Sequence, residues 1–345
     1  MTMNQPSEAL AVAKPGLTYL PRDPRLLELV ARAQLALGQN AEAAKTLETL
    51  TEVRPELLEA RLYAAQAQAA INQIDRAIEH LDEALQIEPE HTRARMALSK
   101  LLIKKGQLER ARKEIDILKT ASPDDPEVLD QEAVLVYLEG DRKQAVEIYR
   151  QAFELSPDTN RVIALSQAEL RSGQMAEAHS NLKAWVDEHP QDTAARRELA
   201  KLYESVHDID AAEEQYARLA QELPEDASIL NNYAWVAWKK GNTAQALKTA
   251  ERAHALSPDS PEIQDTLGAI LVDNGDYTRA LELLQSSSSQ LPDNPTIKYH
   301  LAQAHLGVNN RKEGLRALRE ALESNRQFQE RAAAERLLRS LEFTP

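Results

Sequence analysis

Residues 227–260, ASILNNYAWVAWKKGNTAQALKTAERAHALSPDS, and residues 261–294, PEIQDTLGAILVDNGDYTRALELLQSSSSQLPDN, are consecutive copies of one 34-residue pattern. Each copy opens on an apolar helical stretch, turns at Gly241 or Gly275, sets Ala246 or Ala280 five residues later, and closes at Pro258 or Pro292. The closing prolines make the period countable along the chain: Pro21, Pro55, Pro89, Pro123, Pro157, Pro190, Pro224, Pro258 and Pro292 lie 34 residues apart, with one spacing of 33. Self-similarity at this period is the signature of a repeat array, in which each unit buries its apolar face against its neighbours.

Working outward, nine complete units are expected at 24–57, 58–91, 92–125, 126–159, 160–192, 193–226, 227–260, 261–294 and 295–328. Residues 1–23 match the second helix of a repeat, so the chain is expected to begin halfway through a unit as a fragment. Residues 329–345 are expected to form a C-terminal capping helix and tail. The turn position reads Gly38, Asn72, Gly106, Gly140, Gly173, His207, Gly241, Gly275 and Asn309, residue types that tolerate positive φ at a helix end. Small residues recur five places on, from Ala43 to Gly314, and again on the first helix, from Ala31 to Ala302, which lets the two helices cross closely. The unit 160–192 is one residue short, and alignment of its small residues puts the loss in the turn at Asp158 and Thr159.

This pattern resembles the tetratricopeptide repeat (TPR) family over essentially the whole chain: small residues at the eighth and twentieth positions, a turn glycine at the fifteenth and proline at the thirty-second. The resemblance implies an all-α fold, a right-handed α-solenoid of stacked antiparallel helix pairs, with nine full repeats plus the terminal half repeat and cap. It also implies a non-catalytic protein-protein interaction scaffold that binds a partner peptide or helix in a concave groove lined by the first helix of each unit.

Composition bounds the function. Net charge is −14 over 345 residues, which disfavours nucleic acid as a partner because phosphates need a basic footprint. No apolar run is long enough to cross a bilayer, and with no cysteine a thiolate metal site is excluded. The sequence contains no GxGxxG, P-loop, HExxH or GxSxG pattern, so no enzyme, cofactor or metal is expected.

In the family, the second, fifth, sixth, ninth, twelfth and thirteenth positions of a unit face the groove. Carried onto this chain, they give Arg93, Lys100 and Lys104 in the third unit, Gln131 and Tyr137 in the fourth, Arg197 and Lys201 in the sixth, Asn231, Asn232, Trp235 and Trp238 in the seventh, and Tyr299 and His300 in the ninth. The leading expectation is the Asn231, Asn232, Trp235, Trp238 cluster. Tryptophan offers a flat apolar surface with one donor, and asparagine can bond an extended backbone or a sugar hydroxyl; packing on the following helix is the alternative reading of the tryptophans. The third unit is the other candidate, since its nine basic against five acidic residues leave +4 in an acidic chain. A chaperone-type carboxylate clamp fails, because Glu262 and Thr266 stand where basic groups are required, and an asparagine ladder along the sixth position fails as well. Glu132 falls on the core face, where other units carry mostly Leu; it reads either as an ion-paired glutamate, with Arg95 or Arg161 as partner, or as a proton-sensitive joint between repeats.

The run NNYAWVAWKKGN and the repeats after it resemble the C-terminal region of long bacterial envelope proteins of exopolysaccharide and PEP-CTERM systems. That resemblance implies a periplasmic scaffold in a polysaccharide synthesis or export complex; without it, a cytoplasmic location is expected. Direct binding of polysaccharide by the solenoid, and a regulatory arm of an enzyme whose catalytic domain lies outside the fragment, are the competing functions.

Overall fold

The computed structural model describes residues 6–342. Twenty α-helices make up the regular structure of these residues. The contact pattern divides the chain into Met1–Ala178 and His179–Pro345. The first part holds α1 (Pro6–Tyr19), α2 (Pro24–Ala36), α3 (Asn40–Val53), α4 (Leu58–Ala70), α5 (Ile74–Ile87), α6 (Thr92–Lys104), α7 (Leu108–Ala121), α8 (Pro126–Glu139), α9 (Arg142–Leu155) and α10 (Thr159–Arg171). Helix α11 (Met175–Glu188) runs across the division. The second part continues with α12 (Thr193–Ser205), α13 (Ile209–Glu222), α14 (Ala227–Lys239), α15 (Thr243–Leu256), α16 (Pro261–Asp273), α17 (Tyr277–Gln290), α18 (Pro295–Gly307), α19 (Arg311–Glu323) and α20 (Arg331–Glu342). The fold is an all-α solenoid of helix pairs.

Local chemistry starts and stops these helices. Asp23, Asp125, Asp192, Asp226 and Asn294 accept hydrogen bonds from the first free amides of α2, α8, α12, α14 and α18, the amides a helix start otherwise leaves unpaired. His91 caps α6 through its ring Nδ1, at 3.1 Å from Ala94 N. Between the helices of a pair, the nine turn residues read from the sequence are the nine positive-φ residues among those described, from Asn309 at +60° to Gly140 at +103°. Six are glycine; Asn72, His207 and Asn309 adopt the same left-handed conformation with a side chain.

The small residues do the packing assigned to them. Ala43, Ala77, Ala111, Ala145, Ala178, Ala212, Ala246 and Ala280 are fully buried, as are their counterparts Ala31, Ala133, Ala200, Ala234 and Ala302. At Gly268 a Cβ would fall 2.6 Å from Leu284 Cγ, so only hydrogen fits without a shift. The core is a succession of clusters that neighbouring pairs share. One joins Ala234, Ala246, Leu267, Ile270, Ala280, Leu284 and Ala304, drawn from five successive helices.

The short unit alters a turn, as expected. Before α4, α6, α8, α12, α14, α16 and α18, the amide of the capping residue bonds the carbonyl three residues back, as in Asp192 N to His189 O at 2.9 Å. Asp158 instead caps α10 from an extended backbone, φ −151°, and α10 begins at Thr159, one residue before the expected boundary. Arg161 spans the abbreviated turn, reaching Ser156 O at 3.1 Å, Asp158 at 2.5 Å and Asp130 at 3.0 Å.

That use of Arg161 corrects the expectation for Glu132. Glu132 is buried, but its partners are Lys119, at 2.6 Å, and Arg112, at 4.0 Å. Arg95, the other expected partner, is held by Glu114 and by the carbonyl of Pro89. The partner therefore comes from α7, the helix packed just before α8, and its recruitment depends on long flexible side chains that repeat position alone does not locate.

Candidate partner-binding groove

Helices α4, α6 and α8, the first helices of three successive pairs, lie side by side in the first part of the chain. A depression of about 430 Å³ runs between α4 and α6 over Leu62, Ala65, Ala69, Met96 and Leu101. A second, of about 410 Å³, continues between α6 and α8 over Met96, Ile103 and Val134. The two share Met96, Lys100 and Glu127, and together form a channel with an apolar floor.

The rim is charged. Arg93 and Lys100 line the channel, with Lys104 exposed one turn beyond Lys100 on α6. Among the described residues none of these three has a carboxylate within ion-pair distance, and neither has the exposed Lys113 of α7, whereas Lys105 pairs with Asp75 at 2.8 Å, Arg110 with Asp82 at 2.9 Å, and Lys119 with Glu132 at 2.6 Å. The excess positive charge of the third unit is thus left open mainly on the groove side. Asp125 and Glu127, at the start of α8, line the same depression. Such a channel can bury apolar side chains while its cations meet carboxylates in a partly desolvated setting.

Gln131 belongs to this region but is engaged internally. It donates to Met96 O at 3.2 Å and accepts from the Ser99 hydroxyl, tying α8 to α6. Tyr137 is half-buried between Arg142 and Arg171, whose guanidinium carbons lie 5.9 and 5.6 Å from its ring centre.

In the second part of the chain the expected site residues are largely taken up by packing. Arg197 binds Asp226 at 2.8 Å and Lys201 binds Glu198 at 2.8 Å. Trp235 packs against the cluster of Ala200, Tyr216 and Val236. Trp238 packs against Ala234 and Leu267, donates its indole N–H to Asp273 at 3.2 Å, and has Lys239 4.5 Å from its ring centre. Asn232 Nδ2 lies 3.4 Å from the Tyr216 hydroxyl, and Asn231 Oδ1 is buried without a hydrogen bond among the described residues. Tyr299 and His300 are buried; His300 Nδ1 sits 2.8 Å from Asp265. The four residues of the tryptophan cluster, the leading expectation, are thus half-buried, with Asn232 and Trp238 hydrogen-bonded within the fold. Leu62 and Met96, absent from the expected set, form the channel floor. Both stand at the fifth position of their units, a groove position, and their apolar character was the available signal.

Among the described residues no three His, Cys, Asp or Glu side chains converge as a metal cage, and no helix is long and apolar enough to cross a membrane.

Repeated helix pairs with left-handed turns, small-residue crossings and a channel along adjacent first helices define a helical-repeat scaffold. Family profiles described as tetratricopeptide repeat match residues 70–133 and 169–234, 30–89, and 137–159, together more than half the chain. The protein belongs to the tetratricopeptide repeat family, whose members are in general protein-interaction scaffolds. Residues 239–321 match the profile of anaphase-promoting complex, cyclosome, subunit 3. Among curated relatives, the chain is 25% identical over 186 residues to the BBSome complex member BBS4 of Bos taurus, covering 54% of this chain and 36% of that protein. It is 29% identical over 133 residues to the cellulose synthase 1 operon protein C of Komagataeibacter xylinus, covering 38% of this chain but 10% of the relative. The chain thus spans well under half the length of these relatives. A tetratricopeptide repeat protein from Parabacteroides merdae has a similar fold, with a TM-score of 0.52 at 17% identity over 72% of this chain and 98% of that one.

Proposed function

We propose that this protein is a non-catalytic scaffold that holds a segment of a partner protein in the channel formed by α4, α6 and α8, within nine repeats bounded as read from the sequence. The observation that carries the proposal is the set Arg93, Lys100 and Lys104: three cations without carboxylate partners among the described residues, beside an apolar channel. They call for a segment whose apolar side chains seat on Leu62, Ala65 and Met96 and whose acidic side chains meet α6. The likeness to the cellulose synthase operon protein supports placing the complex in a bacterial envelope polysaccharide system.

A photo-crosslinking residue at Met96, with a second at Trp235 for comparison, tests the site. The expected result is a protein adduct at Met96 that weakens with salt and is lost in Arg93→Glu/Lys100→Glu. Adducts at Trp235 alone would move the site to the seventh unit. Glycan binding without a protein adduct would replace the scaffold reading with direct polysaccharide recognition.

A further inference from the structure

Arg95 and Arg196 are the buried arginines among the described residues. They occupy the same repeat position and are pinned in the same way. Each guanidinium donates to the carbonyl of the proline six residues back, Pro89 for Arg95 and Pro190, at 2.5 Å, for Arg196. Each also reaches the residue nineteen places ahead, on the second helix of its pair. For Arg95 that residue is Glu114, a carboxylate. For Arg196 it is Gln215, a neutral amide whose Oε1 accepts at 2.9 Å.

One change of residue type, from glutamate to glutamine, thus leaves a guanidinium that is 2% exposed with no counter-ion among the described residues. Arginine cannot relieve that charge by losing a proton, and a buried charge without a partner is strongly unfavourable. Its Nε is buried and lacks a hydrogen-bond partner among the described residues.

Arg196 lines a cavity of about 240 Å³ between α11, α12 and α13, walled by Val186, Leu199, Tyr203 and Gln215. At the mouth Lys183 pairs with Asp187 at 2.5 Å and Arg218 with Glu214 at 2.7 Å. Three cations against two carboxylates leave the lining with one net positive charge, that of Arg196.

We infer that this cavity is a binding site for a small monocarboxylate, which supplies alongside Gln215 the negative charge that Glu114 gives Arg95. A carboxylate matches the planar donor fork of arginine. A single negative charge neutralises the lining, whereas a phosphate dianion would meet Asp187 and Glu214 with one charge in excess. The site lies among α11, α12 and α13 and is independent of the channel over α6.

Thermal unfolding of the full chain in sodium acetate, against sodium chloride and sodium phosphate at matched ionic strength, tests the inference. The expected result is a rise of about 2 °C or more in acetate beyond that in chloride, with slowed amide exchange in α12 and α13. Arg196→Gln should abolish the acetate response while preserving the fold, because Gln264 makes the same proline contact in its own repeat, donating to Pro258 O at 2.7 Å. Gln215→Glu should supply the missing carboxylate from within, raising the melting temperature in chloride and removing the acetate response. Equal responses to acetate and chloride in the wild type, or an acetate response retained in either variant, would overturn the site. A stronger response to phosphate than to acetate would overturn the assignment of a monocarboxylate.

Discussion

His300 Nδ1 stands 2.8 Å from Asp265 Oδ1, joining α18 to α16 through a pair whose side chains are 6% and 16% exposed. Burial opposes charging this imidazole, but the Asp265 charge and hydrogen bond, with Glu330 beyond, outweigh both burial and the nearby Lys239, and its pKa is raised. A histidine with a folded-state pKa above its unfolded value of about 6.5 contributes stability that is complete below that value and is lost as pH rises through the folded pKa. The urea midpoint of unfolding should therefore fall as pH rises above about 6.5, and His300→Gln should flatten that dependence. An unchanged slope in the variant would remove His300 as its source.

The pair of Lys119 with Glu132 gives a different expectation. Glu132 stands on a core face where a leucine is the usual residue, and its second carboxylate oxygen has no hydrogen bond among the described residues. Replacing a buried ion pair by an apolar residue is often neutral or stabilising, whereas removing one partner strands the other. Glu132→Leu should hold or raise the denaturation midpoint; Lys119→Ala should lower stability by about 1–3 kcal/mol.

His207 adopts a φ of +62° without the freedom of glycine. Since a side chain in this region costs about 1–2 kcal/mol, part of which the unfolded chain recovers in glycine, His207→Gly should stabilise by about 0.5–1 kcal/mol. Asn72→Gly should gain less, because asparagine accepts this conformation more readily. Paired melting curves of the two variants check the ranking.

Gly268 faces Leu284 where no Cβ fits without movement. Gly268→Leu should cost about 1–3 kcal/mol by overpacking. The loss should be visible as faster amide exchange in α16 and α17, the two helices that meet there.

Arg93, Lys100 and Lys104 make no intramolecular ion pair among the described residues, so they should be dispensable for folding. The triple alanine variant should stay within about 0.5 kcal/mol of wild type in urea denaturation. A large loss would mean that these residues support the fold and would weaken the case for a partner surface on α6.

The sequence by itself determined the repeat. The prolines set its period, the turn residues supplied every positive φ among the described residues, and the paired small residues located the helix crossings, because each of these is a backbone or steric requirement met within one unit. The unit positions also picked out Arg93 and Lys100, which line the depression between α4 and α6. Only the tertiary structure decided which groove residues remain free. Trp238 is held by Asp273, Arg197 by Asp226 and His300 by Asp265, each through a side chain about one repeat away in sequence. Arg196 is the same case seen from inside the fold. Its burial follows from its place in the repeat, but its missing counter-ion depends on what stands nineteen residues ahead on a packed neighbour. Repetition fixes where a side chain points, and packing fixes what it meets there.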